Sequence, residues 1–80
     1  MAIVRELMPS GYQANRLTDT WGKYSTSFYN GEKLFHVRTF GSEYRENENK
    51  VSQQIDLNKE MAKKLVDLLI SEFNLPYLPA

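Results

Sequence analysis

The chain has 80 residues and a mass of 9.3 kDa, which suits one small domain spanning 1–80 and is short for most multi-step enzyme folds. Ten basic residues balance ten acidic ones, so strong non-specific attraction to duplex DNA or an anionic membrane is not expected. With no cysteine and a single histidine, disulfides, thiolate nucleophiles and the usual zinc sites are excluded.

In chain order, Ala2 to Met8 is apolar at Ile3, Val4, Leu7 and Met8 before Pro9-Ser10-Gly11 breaks the run. Residues 1–11 therefore read as either an N-terminal arm or a short edge strand. The start lacks the basic-then-apolar order of a signal peptide, and no apolar run approaches about 18 residues. A cytoplasmic protein without membrane contact is the expectation. Tyr12 to Thr20 is polar and β-tolerant and is expected to form a strand.

The centre of the chain carries the clearest signal. Lys23–Tyr29 and Glu32–Phe40 are β-rich runs joined by Asn30-Gly31, a pair that suits the two positive φ angles of a type I′ hairpin turn. Residues 41–50 (GSEYRENENK) are charged and Asn-rich and predict a mobile loop. Val51 to Leu57 alternates again and predicts a further strand, so that 12–57 makes a sheet. Residues 58–74 predict a helix: Asn58 suits the N-cap, Glu60 the first turn, and Asn74 with Pro76 the stop. A tail, 75–80, follows. The expected fold is α+β, a strongly twisted antiparallel sheet of about four strands with a C-terminal amphipathic helix on one face.

A two-residue turn sets the hairpin register and hence its two faces. Tyr24, Thr26, Phe28, Phe35 and Val37, with Val51, Ile55 and Leu57, should form an apolar floor for the helix. Trp21, Lys23, Ser25, Tyr29, Leu34, His36, Arg38 and Phe40 share the other face. Rings interleaved with cations on an open sheet suit single-stranded nucleic acid, because bases stack on the rings while cations follow the phosphates. The expected stacking residues are Trp21, Tyr29 and Phe40. Lys23 and Arg38, with Lys33 or Arg16, should hold phosphates, His36 lies among them, and Arg45 in the loop can close over the strand. Burial of the same rings by the arm, the tail or another protein is the competing expectation.

On the helix, Met61, Leu65, Leu68, Leu69, Phe73, Val66 and Ile70 cover about half the circumference, whereas a surface helix needs a stripe of roughly 100°. The surplus predicts a symmetric homodimer, with Val66, Leu69, Ile70 and Phe73 at the interface. Ser25 is the expected cross-strand neighbour of His36. Without a third orienting group the pair makes no catalytic site, so neither enzyme activity nor a cofactor or metal is expected.

The segment Asn30-Gly31-Glu32-Lys33-Leu34-Phe35-His36-Val37-Arg38-Thr39-Phe40 resembles the PC4-like transcriptional coactivators, in which an Asn-Gly turn leads into a Lys-aromatic-x-Ile/Val-Arg-x-aromatic strand. Gln54 to Ala62 is similar to that family's strand entering its C-terminal helix, and the likeness spans about residues 20–70. It implies a helix-dimerised four-stranded sheet that binds single-stranded or melted DNA, with Trp21, Lys23, Lys33, Arg38 and Phe40 at the family's basic and aromatic positions. The alternative, which the balanced charge and acidic loop suit, is a protein-interaction module or small inhibitor of mobile-element type using the same face.

Overall fold

A computed structural model describes residues 2–40 and 51–78. The expected loop at 41–50, with Arg45, lies outside the described residues. The elements are β1 (Ile3–Val4), β2 (Trp21–Tyr29), β3 (Glu32–Phe40), β4 (Val51–Leu57) and α1 (Lys59–Phe73). The four strands form one sheet in the order β1-β4-β3-β2, and α1 packs on it, giving the α+β architecture. No helix among the described residues is long and apolar enough to cross a membrane.

The hairpin follows from its turn. Asn30 and Gly31 take φ values of 52° and 78°, the left-handed pair that a type I′ turn requires. All the pairs from Tyr29↔Glu32 to Trp21↔Phe40 then fall in the register set by that turn. Gly22 has a packing reason as well, since a Cβ there would meet the Arg38 carbonyl oxygen at 2.8 Å. β4 runs antiparallel to β3 with a register shift between Thr39 and Phe40.

Two expectations for the N-terminal part are corrected or resolved. Tyr12–Thr20 forms no strand; the stretch is exposed throughout, and its apolar residues Ala14 and Leu17 find nothing to pack against. The fourth strand is β1, which pairs with β4 in parallel through Ile3↔Asp56 and Val4↔Leu57, so the sheet is mostly rather than wholly antiparallel. Arg5 reaches Glu32 at 3.3 Å, and Lys64 of α1 donates to the Leu7 carbonyl at 3.0 Å, which ties the arm to both sheet and helix.

α1 begins where Asn58 caps it: its side-chain oxygen accepts from the Met61 N–H at 2.9 Å, while its Nδ2 donates to Glu32 at 3.1 Å. It ends at Asn74, which adopts the left-handed conformation (φ 53°), and the N–H groups of Asn74 and Leu75 both close on the Ile70 carbonyl.

The apolar floor is smaller than expected. α1 covers the end of the sheet that carries Phe35 and Leu57, and Ala62 shares a 340 Å3 cleft with Thr26, Phe35 and Leu57. Tyr24 and Phe28, expected beneath the helix, remain 78% and 74% exposed, and Val37 and Ile55 are exposed too. The physical reason is lateral: α1 packs on β3 and β4, and β2 lies one strand beyond its reach. Burial is instead divided between the two faces. Leu57 and Met61 are buried with the helix, whereas Leu34 and Phe40 are buried on the opposite side.

Candidate functional site

Residues directly opposite in antiparallel strands share a face. One face therefore carries Trp21 with Phe40, Lys23 with Arg38, Ser25 with His36, Ser27 with Leu34 and Tyr29 with Glu32. β4 adds Gln54 opposite Arg38 and Asp56 opposite His36. Most of the expected nucleic-acid residues thus come together, with three changes.

The first concerns Phe40. Its ring stacks on Trp21, with centroids 4.5 Å apart and planes inclined by 22°, and only 2% of the residue is exposed. It has no free ring face for a base, so its role is to brace Trp21. Trp21 is half-buried, and its indole N–H is closed off with no acceptor among the described residues. Lys23 Nζ sits 5.9 Å from the Trp21 ring centroid, near the outer limit of a cation–π contact. Tyr29, by contrast, is 60% exposed and can stack a base.

The second change concerns Lys33. It pairs with Phe28 and so projects from the opposite face, where it lines a cleft with Asn58, Lys59 and Lys63 at the start of α1. Period-two alternation alone separates it from Lys23 and Arg38, and a single bound strand on one face does not reach it.

The third change concerns His36, which is engaged within the sheet. Its Nδ1 lies 2.8 Å from Asp56 Oδ1 and its Nε2 lies 2.6 Å from Ser27 Oγ. Gln54 Nε2 donates to both Asp56 oxygens, at 2.9 and 3.2 Å. Asp56 is buried at 5% exposure. Burial opposes its ionisation, but the hydrogen bonds from His36 and Gln54 and the charge of His36 outweigh that and hold its carboxyl below the usual carboxylate range. An ionised Asp56 accepts from Nδ1–H, which leaves Nε2 to bond the Ser27 hydroxyl.

Sequence reasoning missed this network in two places. It paired His36 with its direct neighbour Ser25, whereas the bond runs diagonally to Ser27. It also lacked the third group, Asp56, which becomes visible only once β4 is in register. Ser27, His36 and Asp56 have the connectivity of an acyl-transfer relay, and they border a 450 Å3 cleft that also includes Ile3, Arg5 and Tyr29. Such a relay also needs donors for a developing oxyanion. Arg5, the cation of that cleft, is engaged by both oxygens of Glu32, at 3.3 and 3.4 Å. What the arrangement does directly is join β2, β3 and β4 through side chains. Among the described residues, no three His, Asp or Glu side chains converge as metal ligands do.

The residues expected at a dimer interface occupy the outer side of α1. Val66, Leu69 and Phe73 are exposed, Phe73 at 70%, and Ile70 is half-buried. No protein-family model matches the chain, and neither a curated protein nor a solved structure matches it.

Proposed function

We propose that this protein is a small, non-enzymatic, cytoplasmic module that binds single-stranded nucleic acid as a homodimer. The observation that carries the reading is the pairing of Lys23 with Arg38 across β2 and β3, directly beside Trp21 and on the same face as the exposed ring of Tyr29. Bases stack on Tyr29 and on the outer side of Trp21, and the two cations follow the phosphates. Gln54, next to Arg38 on β4, can hydrogen-bond a base edge. The resemblance of the hairpin to the PC4-like coactivators supports the same reading.

The test is titration of Trp21 fluorescence with a mixed-sequence single-stranded oligonucleotide at low and moderate salt, since Trp21 is the chain's one tryptophan. Salt-sensitive quenching is expected. Replacing Lys23 and Arg38 by Gln should lower the slope of log affinity against log salt by about one for each phosphate no longer neutralised. Unchanged emission, with no binding at low salt, overturns the reading.

A second reading rests on the opposite side of the sheet. Tyr24, Phe28, Val37 and Ile55 expose more apolar area there than a solvated face needs, and the net charge is zero. Both suit a protein partner, as for a protein-interaction module or small inhibitor of mobile-element type. Binding to such a partner is expected to be nearly insensitive to salt.

A further inference from the structure

β2 is the outermost strand of the sheet, and among the described residues no neighbouring strand covers its outer edge. Natural sheets protect such edges by keeping them short, by bulges, by proline or by inward-pointing charge. β2 runs for nine residues without a proline or a register shift, and it carries one charged residue, Lys23. The turn determines which backbone groups face outward. A two-residue loop makes Tyr29–Glu32 a hydrogen-bonded pair, so Trp21, Lys23, Ser25, Ser27 and Tyr29 direct their N–H and C=O groups to β3. Gly22, Tyr24, Thr26 and Phe28 direct theirs away from β3, to the outer edge.

We propose that a second copy of this chain pairs antiparallel with that edge, across a two-fold axis through Ser25, so that two four-stranded sheets become one of eight. This inference names the contact behind the homodimer of the proposed function and rests on that reading. The Ser25-centred register is the one that pairs the whole strand with nothing overhanging. It sets Tyr24 against the partner's Thr26 and Phe28 against the partner's Gly22 in hydrogen-bonded pairs. Ser25 meets its own copy, Lys23 meets the partner's Ser27, and Trp21 meets the partner's Tyr29.

Three features of the chain favour this register. Phe28, 74% exposed in one copy, lies over the bare backbone of a glycine, where its ring covers hydrogen bonds that Gly22 leaves open. No like charges meet, whereas a shift of the axis to Lys23 sets two ammonium groups side by side. A shift to Ser27 runs the strand ends past the turns. The chain also has surface to lose. It exposes 7370 Å2, against about 5000 Å2 for a compact monomer of its mass, and a standard interface needs about 800 Å2 from each partner.

The pairing also completes the candidate site. Phe40 is occupied behind Trp21, but the partner's Tyr29 arrives beside Trp21 on the outward side of the same face. Each composite site then holds Trp21, Lys23 and Arg38 of one copy and Tyr29 of the other. The cations of both copies line one continuous surface.

The test is oxidative cross-linking without nucleic acid, in the full chain, which has no cysteine of its own. Ser25→Cys brings two thiols together at a non-hydrogen-bonded pair, with Cα atoms about 4.5 Å apart, inside disulfide range. Ser27→Cys leaves its two thiols about 13 Å apart along the strands, outside that range. Rapid covalent dimer from Ser25→Cys and little from Ser27→Cys is expected at low micromolar concentration. Thr26→Pro removes an outward N–H while leaving the β3 ladder intact, and should give a folded monomer on light scattering. Three results overturn the proposal: a wild-type monomer throughout, equal cross-linking of both cysteine variants, or a wild-type dimer in which Ser25→Cys does not cross-link. The last places the second copy on α1. Cross-linking at Ser25 with no oligonucleotide binding overturns the nucleic-acid reading alone.

Discussion

The two faces of the sheet are built from the same three long strands and are left in opposite states. On the Trp21 face, side chains are paired with one another: Trp21 with Phe40, His36 with Ser27 and Asp56, and Asp56 with Gln54. On the Tyr24 face, α1 covers Phe35 and Leu57, and the rings of Tyr24 and Phe28 stand in solvent. Tyr24 does lean on Phe35, with centroids 5.8 Å apart, but that contact leaves most of its surface bare. Residue type therefore did not decide which face is finished. The edge strand β2 lies one strand beyond the pair that α1 covers, and among the described residues no second helix is placed over it.

The largest effect is expected from removing what finishes the first face. Phe40→Ala deletes a buried ring and the support of Trp21, and should cost about 3–5 kcal/mol, a large part of a small domain's stability. Denaturant unfolding measures the loss, and a red shift of Trp21 emission in the native baseline reports the broken stack. Tyr24→Ala on the other face should change stability by less than about 0.5 kcal/mol at concentrations where the chain is monomeric. Equal costs for the two substitutions contradict the contrast between the faces.

A smaller effect isolates the polar half of the same face. Asp56 has its pKa held below the unfolded value of about 3.9, so its charged interactions contribute fully above that value. Their contribution is lost as pH falls through the lower, folded pKa. The wild type should therefore lose stability below about pH 4, and Asp56→Asn should remove that part of the slope. The same variant should cost about 1–3 kcal/mol at neutral pH, because His36 Nδ1 loses a charged acceptor. Urea midpoints taken from pH 3 to pH 7 check both statements.

How much of this was readable in advance depends on sequence distance. The hairpin register was legible because Asn30 and Gly31 are adjacent and their left-handed backbone admits one two-residue turn. The helix limits were legible for the same reason: Asn58 caps the N–H of Met61 three residues on, and Asn74 closes on Ile70 four residues back. The β1–β4 pairing was not, since it joins Ile3 to Asp56 through two residues with no local signal. Tyr12–Thr20 has tolerable strand composition, but without an apolar face it has nothing to bury. Alternation sorted the hairpin's side chains correctly, but the register shift between Thr39 and Phe40 sets Val51, expected beside Ile55 and Leu57, opposite Phe40 instead, and alternation does not say which face is covered. Phe40 was for that reason expected as a stacking platform and is found inside. His36 shows a finer limit, because a long imidazole reaches diagonally to Ser27 and across to Asp56, and direct-neighbour arithmetic names neither.

The smallest expected effect concerns the residue that links the hairpin strands through that imidazole. Ser27→Ala removes the hydroxyl from His36 Nε2, but both residues border the open cleft, and water can take the vacated position. A cost of about 0.5–1 kcal/mol is expected. If Ser27, His36 and Asp56 acted as a nucleophilic relay, a fluorophosphonate would label Ser27, and Asp56→Asn would slow that labelling by orders of magnitude. With Arg5 engaged by Glu32, no labelling above that of an ordinary serine is expected, and intact mass before and after exposure decides it. Labelling in the wild type that Glu32→Gln accelerates would show that freeing Arg5 supplies the missing electrostatic partner. The Trp21 face would then be a reaction site, and the contrast between a finished face and an unfinished one would have to be redrawn.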